Sequence, residues 1–169
     1  DDPNVEGYIG KMTETVDRLD FSFNTGNPIT DIIVHQKSQE AEKKGISFVS
    51  DFTFPLKDGI DVYDAGIILN NALENALEAC ENTELPYIFL RSYIKGSLFF
   101  IETENNFSGE IELLEENGLP VTKKENPFSH GFGLPNIERT AKKYKGDIDI
   151  AVEEKNGKNV FMLTVMLHM

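Results

Sequence analysis

The sequence predicts a mixed α/β domain, and three observations predict it. Residues 62–80 place Val62, Ala65, Leu69, Leu73, Ala76, Leu77 and Cys80 on one side and polar residues on the other, the pattern of a helix lying on a core. β-rich runs flank Lys95-Gly96 and again Asn156-Gly157, the form of two hairpins. Clusters of Gly, Pro and Asn punctuate the chain between these segments.

Taken in order, Val5, Tyr8, Ile9, Met12, Val16 and Leu19 recur at helical spacing and give a narrow seam suited to a partner helix. Such a short run is marginal as an isolated helix in water. Asn24-Thr25-Gly26-Asn27-Pro28 breaks the chain, and Thr30 or Asp31 is placed to cap a second helix running to Lys44, with Gly45 past its end. Residues 46–53 alternate like a strand, 56–60 connect, and Asp61 caps the helix over 62–80. Residues 87–95 and 97–104 make the first hairpin. Between 105 and 133 periodicity fades while Asn, Gly, Pro and charged residues accumulate, which reads as a lid, poorly ordered over 106–129. Pro135 suits a first helical turn, 136–145 reads as a helix, and Gly146 as its left-handed stop. Strands at 147–152 and 159–167 complete the order.

Composition bounds the function. The 169 residues, 40% hydrophobic with 12 Phe, suffice for one good-sized core and a short appendage. Sixteen basic against 29 acidic residues leave a net charge of −13, which repels phosphate backbones at long range and argues against nucleic acid as a partner. Cys80 has no second cysteine to pair with and sits on an apolar helix face, as a buried small hydrophobe in a reducing cytoplasm would. No run is apolar and long enough to cross a membrane as a helix, and no internal repeat is present.

The polar side of the 62–80 helix is the first candidate site. Asn71, Glu74, Asn75 and Glu78 share one stripe, extended by Asp64 and Asn82. Asparagine is a poor helix-interior residue because its amide competes for backbone hydrogen bonds, and a merely solvated face more often carries Lys and Glu. Asn71, Glu74 and Asn75 therefore point to a pocket where amides and oxygens meet phosphate and a hard cation such as Mg²⁺. The second candidate is His130-Gly131-Phe132-Gly133-Leu134. Its glycines allow close backbone approach to phosphate, and the helix start behind them offers free N–H groups; the same pattern also suits a simple mobile turn. Neither a P-loop nor a dinucleotide fingerprint is present.

Asn71-x-x-Glu74-Asn75-Ala76 on a helix, a strand ending near Asn105, a polar lid and His130-Gly131-Phe132-Gly133-Leu134 before a helix resemble the ATP-binding domain shared by DNA gyrase, chaperone, mismatch-repair and histidine-kinase ATPases. Thr25-Gly26-Asn27, Lys44-Gly45-Ile46 and Lys143-Tyr144-Lys145-Gly146 further resemble the peptide-sensing, accessory-gene-regulator type of sensor histidine kinase. The resemblance implies an α+β two-layer sandwich, a mixed and mostly antiparallel sheet with helices on one face, and ATP held between the asparagine helix and a lid over about 106–133. It implies that Asn75 binds Mg²⁺, that Asn71 sits by the phosphates, that Glu74 is the acidic residue before the metal asparagine, and that Gly131 and Gly133 turn their backbone to the triphosphate beside Leu134. His130 and Lys123 are the lid-side candidates.

Two departures from the family pattern matter. Glu104-Asn105-Asn106-Phe107-Ser108-Gly109 stands where the superfamily has Asp-x-Gly-x-Gly, leaving Asn105 as a neutral acceptor for the adenine amino group. Asn71 stands where hydrolysing members carry a glutamate base, and an amide cannot serve as a general base, which favours phosphoryl transfer over a clamp-type ATPase. His35, His130 and His168 do not suit the role of phosphoryl acceptor, so the acceptor histidine is expected outside this segment, with residues 1–24 as the tail of the dimerising region and 25–169 as the catalytic domain. The expected partners are ATP, the acceptor-histidine domain of the same protein and a response regulator, in a homodimeric, membrane-anchored bacterial protein whose cytoplasmic part this is. The alternative is a nucleotide-sensing or interaction module that has lost catalysis.

Overall fold

Asn27 starts the first regular element. Its backbone is extended (φ −146°, ψ 129°), its side-chain oxygen accepts the N–H of Ile29 at 2.9 Å, and Pro28 has no N–H to leave unpaired, so helix α1 runs Pro28–Lys43. The computed structural model describes residues 23–56, 59–109 and 133–169. The expected caps Thr30 and Asp31 lie inside the first turn instead. Asp31 accepts the N–H and the hydroxyl of Thr25 at 2.6 and 2.7 Å, and the Thr30 hydroxyl donates to the Asn27 carbonyl at 3.0 Å, which ties the incoming loop to the helix.

Strand β1 (Ser47–Asp51) follows, then helix α2 (Val62–Ala79), capped as expected by Asp61, whose side chain accepts the N–H groups of Tyr63 at 2.7 Å and Asp64 at 3.4 Å. Strands β2 (Tyr87–Lys95) and β3 (Leu98–Phe107), helix α3 (Gly133–Lys143), and strands β4 (Asp147–Lys155) and β5 (Lys158–His168) complete the chain. The sheet order is β1-β2-β3-β5-β4; β1 pairs parallel with β2 and every other pairing is antiparallel. This is the mixed, mostly antiparallel sheet expected, with α2 as the crossover that the parallel pair requires.

The core lies between the sheet and the helices. Ile88, Leu90, Phe99, Ile101, Leu163, Val165 and Leu167 meet Ile68, Leu69, Leu73 and Leu77 of α2, flanked by Val34 of α1 and Ile137 of α3. The opposite sheet face is polar and aromatic: Glu102 takes the Arg91 guanidinium and the Tyr93 hydroxyl, and Lys155 reaches Glu104 at 3.1 Å.

Several boundaries differ from expectation: β1 keeps only Ser47–Asp51 of the expected 46–53, and β4 runs on to Lys155 rather than stopping at 152. β3 continues past Glu104 to Phe107, so Asn105 and Asn106 belong to the strand and are buried rather than starting a lid. The Asn106 side chain makes this possible: its carbonyl accepts the N–H of Tyr87 at 2.9 Å and its amide donates to the carbonyls of Glu84 and Leu85 at 3.3 and 3.1 Å. α3 is described from Gly133, ahead of the expected Asn136, and includes Pro135. Its left-handed stop is Lys145 (φ 50°), not Gly146. Gly146 is needed for space, since a Cβ there would lie 1.8 Å from the carbonyl oxygen of Met166. The expected helical seam before Phe23, and the lid from 110 to 132 with Lys123, His130 and Gly131, lie outside the described residues.

Candidate functional site

Helices α2 and α3 pack as an antiparallel pair and meet at both ends. At one end a Cβ on Gly133 would lie 2.9 Å from Oδ1 and 3.1 Å from Nδ2 of Asn75, so the first residue of α3 sits directly on the asparagine amide. The two sequence motifs thus come together. No side chain other than hydrogen leaves the Asn75 amide in this position, and a helix start generally offers N–H groups, a setting suited to anions.

At the other end Tyr144, just past α3, donates its hydroxyl to Oδ2 of Asp64 at 2.7 Å and accepts the backbone N–H of Asp61 at 3.0 Å. Lys143 reaches Oδ1 of Asp64 at 2.6 Å. Burial pushes the Asp64 carboxyl up, but the bonds from Lys143 and Tyr144 outweigh it and hold the pKa below the usual carboxylate value. The Tyr144 phenol is raised, by burial first and by Asp64 second. Asp64 therefore serves the helix pair rather than extending the polar stripe.

The remaining stripe residues divide between two flanks. Asn71 donates its amide back to the carbonyl of Ile67 at 2.8 Å, which turns its side-chain oxygen outward. Glu74 faces α1, where Lys37 forms an ion pair with it and also meets Glu40 at 3.3 Å. The Lys37 side chain is only 12% exposed, so this pair is a partly shielded strut between α1 and α2. Asn75 faces the start of α3, and Leu134 packs against the core next to Gly133.

On β3, Asn105 is 1% exposed and its amide donates to the Asn106 carbonyl at 3.1 Å. Cys80 donates to the carbonyls of Tyr87 and Asn106, both at 3.4 Å, and burial pushes its thiol up to about 11. Tyr87 is pushed up to about 12, by burial and by its hydroxyl bond to Glu104. Among the described residues no cluster of three His, Cys, Asp or Glu is placed to hold a metal, and no helix is long and apolar enough to cross a membrane. Lys37 and Tyr144 had no part in the site expected from sequence, because their partners lie 37 and 80 residues away and no local pattern signals such pairs.

The fold is that of solved histidine kinase structures. A mycobacterial sensor histidine kinase, MprB, matches with a TM-score of 0.56 at 12% identity, over 83% of this chain and 97% of that one. The Acinetobacter baumannii histidine kinase AdeS matches at 0.54 and 13%, over 97% of this chain and 79% of its own. A histidine kinase from Burkholderia phymatum STM815 matches at 0.59 and 13%, over 96% and 78%. No curated protein sequence matches. The family model described as GHKL domain matches residues 60–168, which span α2 with its asparagines, the Gly133 helix start and four of the five strands. The chain belongs to the GHKL domain family.

Proposed function

We propose that this chain is the ATP-binding catalytic domain of a sensor histidine kinase, and that it donates the γ-phosphoryl of Mg-ATP to a histidine outside the segment. The observation that carries this is the contact of Gly133 with Asn75, which joins the glycine-rich helix start and the asparagine helix in one cradle with hydrogen in place of a side chain. An amide oxygen is a hard donor that suits Mg²⁺, which takes few protein ligands and completes its shell with phosphate oxygens and water. Asn75 would hold the cation, and the cation when bound neutralises charge on the phosphates.

The chain's own residues do the positioning on which phosphoryl transfer depends. N–H groups at the start of α3 meet the phosphates, with Asn71 beside them. Asn105 offers its oxygen to the adenine amino group. Glu74 keeps Asn75 in place by anchoring the middle of α2 to Lys37. Lys123, His130 and Gly131 complete the nucleotide site from the lid side, and Leu134 packs below it. Residues 1–24 lead from the dimerising region of a homodimeric, membrane-anchored protein, and a response regulator takes the phosphoryl group onward. A second reading, a nucleotide-sensing module without catalysis, is favoured by one observation: Asn105 stands in a buried strand position where the family pattern has a charged acceptor.

Titration calorimetry with ADP tests the proposal. Binding that strengthens with Mg²⁺, and an Asn75→Ala variant that loses the Mg²⁺ dependence while keeping weak metal-free binding, is the expected result. No binding at millimolar ADP with Mg²⁺ would overturn it. Transfer of labelled phosphate to a supplied acceptor-histidine domain separates kinase from sensor.

A further inference from the structure

Asp64 and Asn75 lie eleven residues apart on α2, and Gly133 and Tyr144 lie eleven apart along α3 and its end. At 1.5 Å per helical residue both spans are roughly 16 Å. The antiparallel pair is therefore in register at two points, the Tyr144–Asp64 bond and the Gly133–Asn75 contact. We propose that Tyr144 is a positioning residue for the phosphate end of the nucleotide site, acting as the far pin that sets the axial register of α3 on α2. The inference rests on the nucleotide-binding reading above and deepens it.

The geometry supports a pin rather than a general brace. The end of α3 is fixed to the sheet: Gly146 packs under the Met166 carbonyl with no room for a Cβ, its N–H bonds to Ala141 at 3.0 Å, and the N–H of His168 bonds to the Tyr144 carbonyl at 3.1 Å. α2 is seated by its apolar stripe of Ile68, Leu69, Leu73 and Leu77, which resists tilting but resists sliding along the helix axis less. Directional bonds add that constraint: Lys37 holds Glu74 from α1, Lys143 reaches Asp64 at 2.6 Å, and Tyr144 ties the helix pair at its far end. The Tyr144 hydroxyl makes two of them, to the Asp64 carboxylate and the Asp61 N–H, and so grips the capped first turn of α2 itself. A slide of α2 would draw Asn75 away from the α3 N-terminus and leave the sheet-borne Asn105 where it is.

Tyr144→Phe removes the hydroxyl and keeps the ring. The test compares Mg-ADP with AMP on the full chain by calorimetry, because ADP spans the Asn75–Gly133 cradle and AMP depends mainly on the adenine side. The expected result is an ADP affinity lower by about fivefold with AMP changed less than twofold, and the same split in Asp64→Asn to a smaller degree. Amide shifts should move at Gly133 and at the Asn75 side chain. An unchanged ADP affinity in Tyr144→Phe, or equal losses for ADP and AMP, would overturn the pin while leaving the function standing. Failure of the unaltered chain to bind ADP at all would overturn the function first.

Discussion

The α-carbon of Gly133 faces the side-chain amide of Asn75 so closely that one methyl group would press on the Asn75 oxygen at 2.9 Å. The absence of a side chain at Gly133 serves this contact. Gly133→Ala should therefore split two quantities that usually move together. Alanine must push the half-buried Asn75 amide aside without entering the core, so stability should change by less than about 1 kcal/mol, whereas Mg-ADP affinity should fall about tenfold. Urea unfolding alongside calorimetry reads both; a larger stability loss that accompanies the affinity loss would contradict the assignment.

The Lys37–Glu74 pair makes a stability prediction. One partner is 12% exposed and the other 44%, so screening limits the pair to about 1 kcal/mol. Lys37→Met, which keeps most of the aliphatic stem, should destabilise by about that amount and flatten the salt dependence. A double-mutant cycle with Glu74→Gln isolates the coupling from the Lys37–Glu40 contact.

Asn106→Ala should be the costlier change. It removes the partner of the half-buried Tyr87 N–H and frees the carbonyls of Glu84 and Leu85, which are exposed enough to turn to water, and it empties a fully buried side-chain site. A total loss of about 3 kcal/mol is expected in denaturant unfolding, with a weaker turn between α2 and β2 as the local sign in amide exchange.

The pin between Asp64 and Tyr144 carries a pH signature in two directions. A carboxyl whose folded pKa is depressed gives stability that is present above its unfolded pKa, 3.8, and is lost as pH falls through the folded value. The raised phenol gives stability that is present below pH 10.0 and is lost as pH rises beyond it. Asp147 is also depressed, by Lys142, so the informative quantity is the stability gap between the chain and its Asp64→Asn variant. That gap should close below about pH 4 in urea titrations.

Much of this was legible in the sequence because it was local. Asn156-Gly157 adopts positive φ at both residues and joins Lys155 to Lys158 in register, as an Asn-Gly hairpin should. Asp61 caps α2, and the apolar stripe of α2 is buried as its periodicity requires. Sequence reasoning erred where a distant partner decides. Two consecutive asparagines at 105 and 106 look like a strand breaker, yet the Asn106 amide pays its own desolvation by bonding a loop some twenty residues earlier. Gly146 looks like a helix stop, yet it is glycine because β5 passes against it, and Lys145 absorbs the left-handed turn. Lys37 gave no signal, and Tyr144 stood out only within Lys143-Tyr144-Lys145-Gly146, without its partner, since an ion pair or a phenol bond between remote segments leaves no periodic trace.

The strand order also dictates when each part of the sheet can form. The β2–β3 and β4–β5 hairpins close over two-residue turns and need only microseconds. Pairing β3 with β5 joins residues 52 to 70 positions apart in the chain, from Phe107 with Asn159 to Leu98 with His168, and β1 must reach across 40 positions to β2. Those closures carry the entropy cost and set the folding rate. Substitutions in the central β3–β5 pair should therefore slow refolding more than those in either hairpin turn, which a comparison of refolding rates checks.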